Sequence, residues 1–282
     1  MKKILLLFLL ISVFIGCKKE EVKLFLVAGQ RNAMGVGDSL TSVYKSNRPC
    51  FEYNSLSNEY EILKDPIGQN HLHFQTAKSG SFLPAFGYTY NEISNKKVYI
   101  VQCAKGGSSL TAQAEIKNWG NWSATGNLFQ SSVKKAKQAL KKINEENQDN
   151  SLNEKIKLSA ILWSQGENDG QAVARNQISI QQYKTALREL IKKYQNTFGE
   201  SVPFIIIETG THRDSLNNVG YTKIRLAQQD IAKELENVFI GYSETASFQE
   251  KGWLKDPVHY NQTALNDIGT KLAYFYKNLE KE

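Results

Sequence analysis

Apolar and polar positions follow two different periods along the chain, and the two periods predict strands that alternate with helices. Short runs rich in β-branched and apolar residues predict five strands, at 24–28, 97–104, 157–163, 203–209 and 237–241. Apolar residues at helical spacing predict five helices, at 83–93, 128–147, 178–194, 221–235 and 263–279. Strands that alternate with helices indicate a parallel sheet with helices on both faces.

The segment 38–80 shows neither period, so we expect it to be an irregular excursion over the surface, near the ligand end of the sheet. In open parallel sheets, ligands bind in the crevice beyond the carboxyl ends of the strands. The residues that directly follow each predicted strand are therefore the first candidates for a functional site.

The first residues have the pattern of an export signal. Lys2 and Lys3 precede an apolar run at 4–15, which is too short to span a bilayer as a permanent helix. Gly16 and Cys17 then resemble a lipoprotein box, in which the cysteine is lipidated and becomes the new N-terminus. The alternatives are an ordinary signal peptide or a short membrane anchor, with the cysteine incidental.

This pattern divides the chain into three parts: a signal peptide at 1–16, a polar tether at 17–22 and one domain at 23–282. We therefore expect an exported protein that is anchored to a membrane by a lipid on Cys17. No linker and no internal repeat interrupts the third part, which is long enough for one large α/β domain.

The composition is that of an ordinary globular protein, with 41% hydrophobic and 22% charged residues. The formal net charge is +7, and loss of Lys2 and Lys3 with the signal peptide lowers it by two, to +5. The lysines are spread along predicted helices and are not grouped with aromatic residues, which argues against nucleic acid as a partner. Cys103 lies in an apolar predicted strand, so we expect a buried core thiol. Spacing alone does not decide whether Cys103 forms a disulfide with Cys50.

Four blocks of polar and small residues stand where the predicted sheet has its carboxyl edge. Three of them follow the first three predicted strands, and the fourth precedes the last predicted helix; they span 28–35, 105–110, 163–169 and 256–261. The fourth block contains Asp256 and His259 at a spacing of three. A carboxylate bonded to one ring nitrogen fixes the tautomer of a histidine and leaves the other nitrogen free as a base.

These blocks, in this order, resemble the SGNH-hydrolase superfamily, and within it the sialate O-acetylesterase-like carbohydrate esterases. The resemblance covers nearly all of the chain from residue 24 to residue 279. It implies a flavodoxin-like three-layer α/β/α sandwich with a mostly parallel, five-stranded sheet. It also implies hydrolysis of acetyl esters on carbohydrates, without a cofactor or a metal.

The resemblance implies roles for particular residues. His259 would be the base, and Asp256 would orient it. The oxyanion would be held by the backbone N–H groups of residue 31 and Gly107, with the Gln165 side chain as a third donor. The positions around these groups complete the expected oxyanion and substrate-binding set, namely Gln30, Asn32 and Glu167.

Arg31 is the departure from the pattern, because the family mechanism needs a serine at this position, within Gly-Gln-Ser-Asn. A guanidinium is protonated at any physiological pH and cannot act as the nucleophile. Ser108 and Ser109, in the presumed oxyanion loop, are the nearest alternative hydroxyls, and Ser39 lies eight residues further along the chain.

Three interpretations of Arg31 stay open at this point. The protein is an active esterase, with a sequence error at position 31 or a nucleophile elsewhere. Alternatively, it is an inactive relative that binds acidic or sulfated sugars, with Arg31 clamping the anionic group. In the third interpretation, His259 activates water directly and Arg31 stabilises the oxyanion.

Other residues offer less specific signals. His71 and His73 have the spacing of metal ligands, but no Cys or carboxylate completes the set, so we interpret them as loop residues. His212 follows the fourth predicted strand and is either a substrate contact or a solvated side chain. Trp119 and Trp122 are either sugar-stacking residues or core residues.

Overall fold

The computed structural model describes residues 21–124, 126–147 and 155–281. The predicted signal peptide at 1–16 and the lipidation site Cys17 lie outside the described residues. Among the helices described, none is both long enough and apolar enough to cross a membrane.

A single sheet of seven strands forms the centre of the described structure. The strands, in chain order, are β1 (Val22–Gly29), β2 (Cys50–Asn54), β3 (Glu59–Ile62), β4 (Lys97–Ala104), β5 (Leu158–Ser164), β6 (Phe204–Ile207) and β7 (Val238–Tyr242). Their order across the sheet is β3-β2-β4-β1-β5-β6-β7, and all neighbouring pairs are parallel except β2 and β3.

Seven α-helices within the described residues connect or follow the strands. In chain order they are α1 (Arg31–Met34), α2 (Leu83–Ser94), α3 (Leu128–Glu146), α4 (Glu167–Ala174), α5 (Ile180–Phe198), α6 (Ser215–Glu234) and α7 (Gln262–Leu279). The long helices coincide within a few residues with those predicted from helical spacing, except α6, which begins six residues earlier.

The predicted three-layer α/β/α sandwich is confirmed, but the predicted number of five strands is wrong. The two additional strands, β2 and β3, lie in the segment 38–80 that was expected to be irregular. Three of the four residues of β3 are exposed, so the hairpin lacks the apolar run that marks a buried strand. The hairpin joins the sheet through the pairing of β2 with β4. This pairing is a long-range contact, so the pattern of apolar residues along the chain does not predict it.

The core consists of two apolar layers, one on each face of the sheet. Successive residues of β1 alternate between them: Leu24 and Leu26 face one layer, and Phe25 and Val27 face the other. All four are fully buried, because helices cover both faces. Helices α2 and α7 pack on one face, whereas α3, α5 and α6 pack on the other.

The two described cysteines lie in opposite layers, Cys50 with α2 and Cys103 with α3. Both are free thiols, so the disulfide considered between them is not formed. Burial raises the pKa of each thiol to about 12, which keeps it protonated and unreactive at neutral pH.

The chain changes direction across the sheet at β1, which lies between β4 and β5 although both follow it in sequence. Such a switch point opens a crevice at the carboxyl ends of the strands. The last residue of β1, Gly29, pairs with the last residues of both neighbours, Ala104 and Ser164. The sequence blocks at 28–35, 105–110 and 163–169 therefore lie side by side at the carboxyl edge of the sheet.

Candidate active site

Helix α1 begins directly after β1 and carries Arg31 at its first position. The turn is closed by backbone hydrogen bonds from Met34 N to Gln30 O, at 2.8 Å, and from Gly35 N to Arg31 O, at 2.9 Å. Asn32 and Met34 are buried, whereas Arg31 is partly exposed. This tight turn therefore presents the side chain of residue 31 to the crevice.

Asp256 and His259 form a close pair in the loop before α7. The Nδ1 atom of His259 lies 2.6 Å from Asp256 Oδ2. The other carboxylate oxygen, Oδ1, accepts backbone hydrogen bonds from Val258, at 3.0 Å, and His259, at 2.8 Å. This geometry holds the ring with Nδ1–H towards the carboxylate and leaves Nε2 as the acceptor.

The electrostatics of this pair favour a neutral imidazole. Burial lowers the pKa of His259, and the positive charge of Arg31 lowers it further; both effects outweigh the attraction of Asp256. Burial acts to raise the pKa of Asp256, but hydrogen bonds from Val258 and His259 hold it below its usual value. At neutral pH the pair is therefore a carboxylate beside an unprotonated base.

Arg31 points at the free nitrogen of this base. Its Nη1 atom lies 3.5 Å from His259 Nε2, at the long end of a hydrogen bond. Its guanidinium carbon lies 5.7 Å from the centre of the Trp119 ring, within the range of a cation–π interaction. The guanidinium therefore occupies the side of His259 where a nucleophile would have its proton removed.

A cavity of about 280 Å³ lies beside this contact. It is lined by Gln30, Arg31, Asn32, Gly107, Ile116, Lys117, Trp119, Glu167, Asn168, Gln171, Tyr221, Val258 and His259. Among these residues there is no serine, threonine or cysteine. The crevice at the switch point is therefore a cavity whose lining contains no serine, threonine or cysteine that could act as the nucleophile.

Gly107 borders the cavity with φ at +78°, a conformation that a residue with a Cβ atom adopts at a cost. A Cβ atom at Gly107 would lie 2.0 Å from Cε3 of Trp119, so the indole packs directly on this glycine. Within the described residues, neither Gly107 N–H nor Arg31 N–H has a hydrogen-bond partner. Both are available to an oxyanion or another polar ligand atom.

Glu167 and Asn32 join the first and third blocks. The Nδ2 atom of Asn32 donates to Glu167 Oε1 at 2.8 Å, and its Oδ1 atom accepts from Tyr260 N at 3.4 Å. Burial raises the pKa of Glu167, and its second oxygen has no hydrogen-bond partner among the described residues. Glu167 lines the cavity, but its unpartnered oxygen is buried, so the carboxyl group mainly holds Asn32 in place.

The structure does not place Gln165 where an oxyanion donor would be needed. Its Nε2 atom donates to Asp169 Oδ2 at 2.6 Å, and the side chain is buried away from the cavity. Asp169 also accepts from Leu110 N and Thr111 N, so it ties the second block to the third. Gln165 is thus a supporting residue, which corrects the role that the resemblance implied.

The alternative serines do not replace the missing nucleophile. Ser108 is fully buried; its Oγ atom donates to Lys105 O at 2.9 Å and accepts from Trp122 Nε1 at 3.1 Å. Ser109 is also fully buried, and its hydroxyl donates to Thr111 O at 2.7 Å. Both hydroxyls hold the loop in shape and neither lines the cavity.

The two tryptophans have different surroundings. Trp122 is buried in the core, whereas Trp119 lines the cavity beside Arg31. His71 and His73 bond to the side chains of neighbouring loops, at 3.0 Å in each case, and no group of three or more metal-binding side chains occurs among the described residues. His212 packs edge-on against Tyr221 and does not line the cavity.

The fold and this site define a three-layer α/β protein with an aspartate–histidine pair at the switch point. Residues 21–278 match the family model of the carbohydrate esterases described as sialic acid-specific acetylesterases. The chain belongs to this family. No curated protein sequence matches the chain.

Several solved structures share the fold of this chain. A protein from Arabidopsis thaliana is 18% identical, with a TM-score of 0.67, over 91% of this chain and 98% of that one. NanS is 15% identical, with a TM-score of 0.65, over 93% and 98% of the two chains. A carbohydrate acetylesterase from Xanthomonas citri is 14% identical, with a TM-score of 0.57, over 91% and 56%. At these identities the likeness concerns the fold alone.

Proposed function

We propose that this protein binds acetylated, acidic carbohydrates in the cavity and does not cleave them by a serine mechanism. The observation that carries this proposal is the contact between Arg31 Nη1 and His259 Nε2. In a serine esterase, the nucleophile's hydroxyl donates to that nitrogen. A guanidinium in that place offers no hydroxyl, and its own protons are held too strongly for a histidine to remove.

The charges around the cavity favour an anionic ligand. Arg31 and Lys117 line it, and the carboxyl group that also lines it, Glu167, has its pKa raised by burial. The family is named for sialic acid, a sugar that carries a carboxylate at neutral pH. A planar guanidinium binds a carboxylate or sulfate through two parallel hydrogen bonds, so Arg31 is suited to clamp the acidic group.

Calorimetry with two acetylated monosaccharides tests this proposal. We expect O-acetylated N-acetylneuraminic acid to bind more tightly than O-acetylated N-acetylglucosamine. Arg31→Ala should reduce that preference about ten- to hundredfold, because a charge-assisted pair contributes roughly 1.5–3 kcal/mol. Arg175→Ala is the matched control, since Arg175 is exposed and lies outside the cavity lining. Equal affinity of the unaltered protein for both sugars would exclude the clamp.

The intact Asp256–His259 pair favours a second candidate, hydrolysis by water. His259 Nε2 would remove a proton from water as its oxygen attacks the acetyl carbonyl, while Arg31 and Gly107 N–H hold the oxyanion. Collapse would release acetate and return the proton from His259 to the sugar oxygen. This route lacks a covalent intermediate, so we expect little turnover. Acetyl release by the unaltered protein that disappears in His259→Ala would favour this candidate over simple binding.

We also propose that the mature protein is exported and anchored to a membrane through a lipid on Cys17. The support is the sequence pattern alone: two lysines, a short apolar run at 4–15, and then Gly16 and Cys17. Such an anchor would place the cavity outside the cytoplasm, where extracellular or periplasmic carbohydrates are available.

A further inference from the structure

A second cavity, of about 230 Å³, adjoins the one beside His259. It is lined by Arg31, Met34, Asn70, Gln75, Thr76, Lys78, Lys105, Gly106 and Trp119. Two of these residues, Arg31 and Trp119, line both cavities. The side chains of Arg31 and Trp119 therefore form a partition between the two cavities. A ligand that contacts Arg31 in the first cavity lies next to the second cavity.

The second cavity is cationic. Arg31, Lys78 and Lys105 line it, and its lining contains neither Asp nor Glu. In the part of the chain that the structure describes, none of the three takes part in an ion pair, whereas many other lysines do. Three cations without a counter-charge around one recess favour an anion in it.

Backbone hydrogen bonds fix the two lysines on either side of the turn that carries Arg31. The N–H of Lys105 donates to Gly29 O, and the N–H of Lys78 donates to Gly35 O, at 3.0 Å in both cases. Residues 29 and 35 flank α1. The main chain thus fixes where the side chains of Lys78 and Lys105 begin, while their long side chains remain adaptable.

The wall of the cavity is tied to the strand ends. Gln75 Oε1 accepts from Gly106 N at 2.8 Å, and Gln75 N donates to Ala104 O at 3.1 Å. Asn70 Oδ1 accepts from Thr76 N at 3.3 Å, which leaves its Nδ2 group as a donor. Neutral donors therefore supplement the three charges.

The partition itself depends on Gly106. A Cβ atom there would lie 3.0 Å from Arg31 Cγ and 3.4 Å from Arg31 Nε, so the arginine side chain crosses directly over this glycine. The guanidinium is held between the two cavities. A ligand group in either cavity therefore lies next to Arg31.

We propose that the second cavity binds the carboxylate or sulfate of a neighbouring sugar unit, so that the ligand is an acidic oligosaccharide of at least two units. This inference rests on the proposed carbohydrate binding and extends it. The acetylated unit occupies the cavity beside His259. The acidic group of the adjoining unit lies between Lys78 and Lys105, next to Arg31, which clamps the acidic group of the acetylated unit. Trp119 lies between the two units.

Calorimetry at low ionic strength tests this site with the double variant Lys78→Gln/Lys105→Gln. The probes are digalacturonate, a sulfated chondroitin disaccharide, monomeric galacturonate and inorganic sulfate. The matched control is Lys134→Gln/Lys137→Gln, which removes the same charge from two exposed positions of α3. We expect the cavity variant alone to lose about tenfold or more in affinity for the disaccharides and for sulfate. Its affinity for O-acetylated N-acetylneuraminic acid should change less than threefold.

The outcomes separate this inference from the proposed function. If the acetylated monosaccharide binds and both double variants behave alike towards the disaccharides and sulfate, the second site is excluded while carbohydrate binding stands. If sulfate binding depends on the two lysines but no sugar binds, the anion site stands and the proposed function falls. A stronger dependence for one disaccharide distinguishes carboxylate from sulfate as the natural group.

Discussion

Arg31 Nη1 lies 3.5 Å from His259 Nε2, so a permanent cation faces the nitrogen that serves as the base in serine esterases of this architecture. Two other parts of an esterase site are present: Asp256 orients the ring, and Gly107 N–H, which has no hydrogen-bond partner within the described residues, borders the cavity. The described residues therefore contain the Asp256–His259 pair of an esterase, but they place a guanidinium where its attacking oxygen would be.

We expect Arg31→Ser to create esterase activity. The serine would stand at the start of α1, beside a base that is already oriented. In a serine protease, loss of one member of the nucleophile–base unit costs on the order of a millionfold in kcat, so even partial restoration should exceed the background at least ~100-fold. Hydrolysis of p-nitrophenyl acetate is the measurement.

The controls for this gain are Arg31→Ala, which removes the guanidinium without adding a hydroxyl, and Arg31→Ser/His259→Ala, which removes the base. Both should remain at the level of the unaltered protein. A folded Arg31→Ser variant that stays inactive would show that the turn at α1 does not present the serine to His259. Activity in Arg31→Ala would instead point to attack by water.

The pKa of His259 should rise in Arg31→Ala. Burial keeps this pKa below its usual value, and the nearby guanidinium disfavours a second positive charge. Removing that charge makes protonation of the ring easier, so the titration should move to higher pH. An NMR titration of the imidazole signals, assigned by their loss in His259→Ala, measures the shift; a shift to lower pH would contradict the observed proximity.

Gly107→Ala should destabilise the protein more than Gly252→Ala. Both glycines have positive φ, +78° and +66°, so each alanine suffers a similar backbone penalty of about 1–2 kcal/mol. Only at position 107 would the new Cβ also strike the ring of Trp119, whereas Gly252 has nothing within 4 Å. Overpacking adds about 1–3 kcal/mol.

Urea denaturation of the two variants gives this difference, and tryptophan fluorescence reports the displacement of Trp119. Because the backbone penalty is shared, the difference isolates the packing of the indole on Gly107. Equal free energies of unfolding for the two variants would mean that Trp119 moves aside without loss of stabilising contacts.

Cys17→Ala should release the protein from the membrane fraction or block its processing. A lipid on this residue would supply the anchor, so its loss should weaken membrane attachment. Fractionation of cells that express each form, with an immunoblot for precursor and mature sizes, measures the effect. Normal processing together with unchanged membrane retention would exclude lipidation at this position.

The central strands were predictable because they are buried on both faces. Strand β4 has the predicted bounds, and β1 differs by a few residues, since each is a nearly continuous apolar run. The hairpin of β2 and β3 was missed because an edge strand exposed to solvent keeps polar residues. Helix α4 was also missed, because its first turn consists of the polar residues Glu167, Asn168 and Asp169.

The candidate site was located in part by motif order. The blocks at the strand ends identified Asp256, His259, Gly107 and the unusual Arg31, but the sequence left open which way each side chain points. It offered Ser108 as an alternative nucleophile, which the structure buries behind hydrogen bonds to Lys105 and Trp122.

By itself the sequence determined the alternation of strands and helices, the family pattern and the absence of a serine at position 31, since these depend on local spacing and residue type. Only the tertiary structure decided that Arg31 meets His259, 228 residues away, and that Trp119 divides two cavities. Contacts at such separation arise when strand order brings distant loops to one edge of the sheet. Periodicity along the chain reports which face of an element is buried, but not which loops then become neighbours.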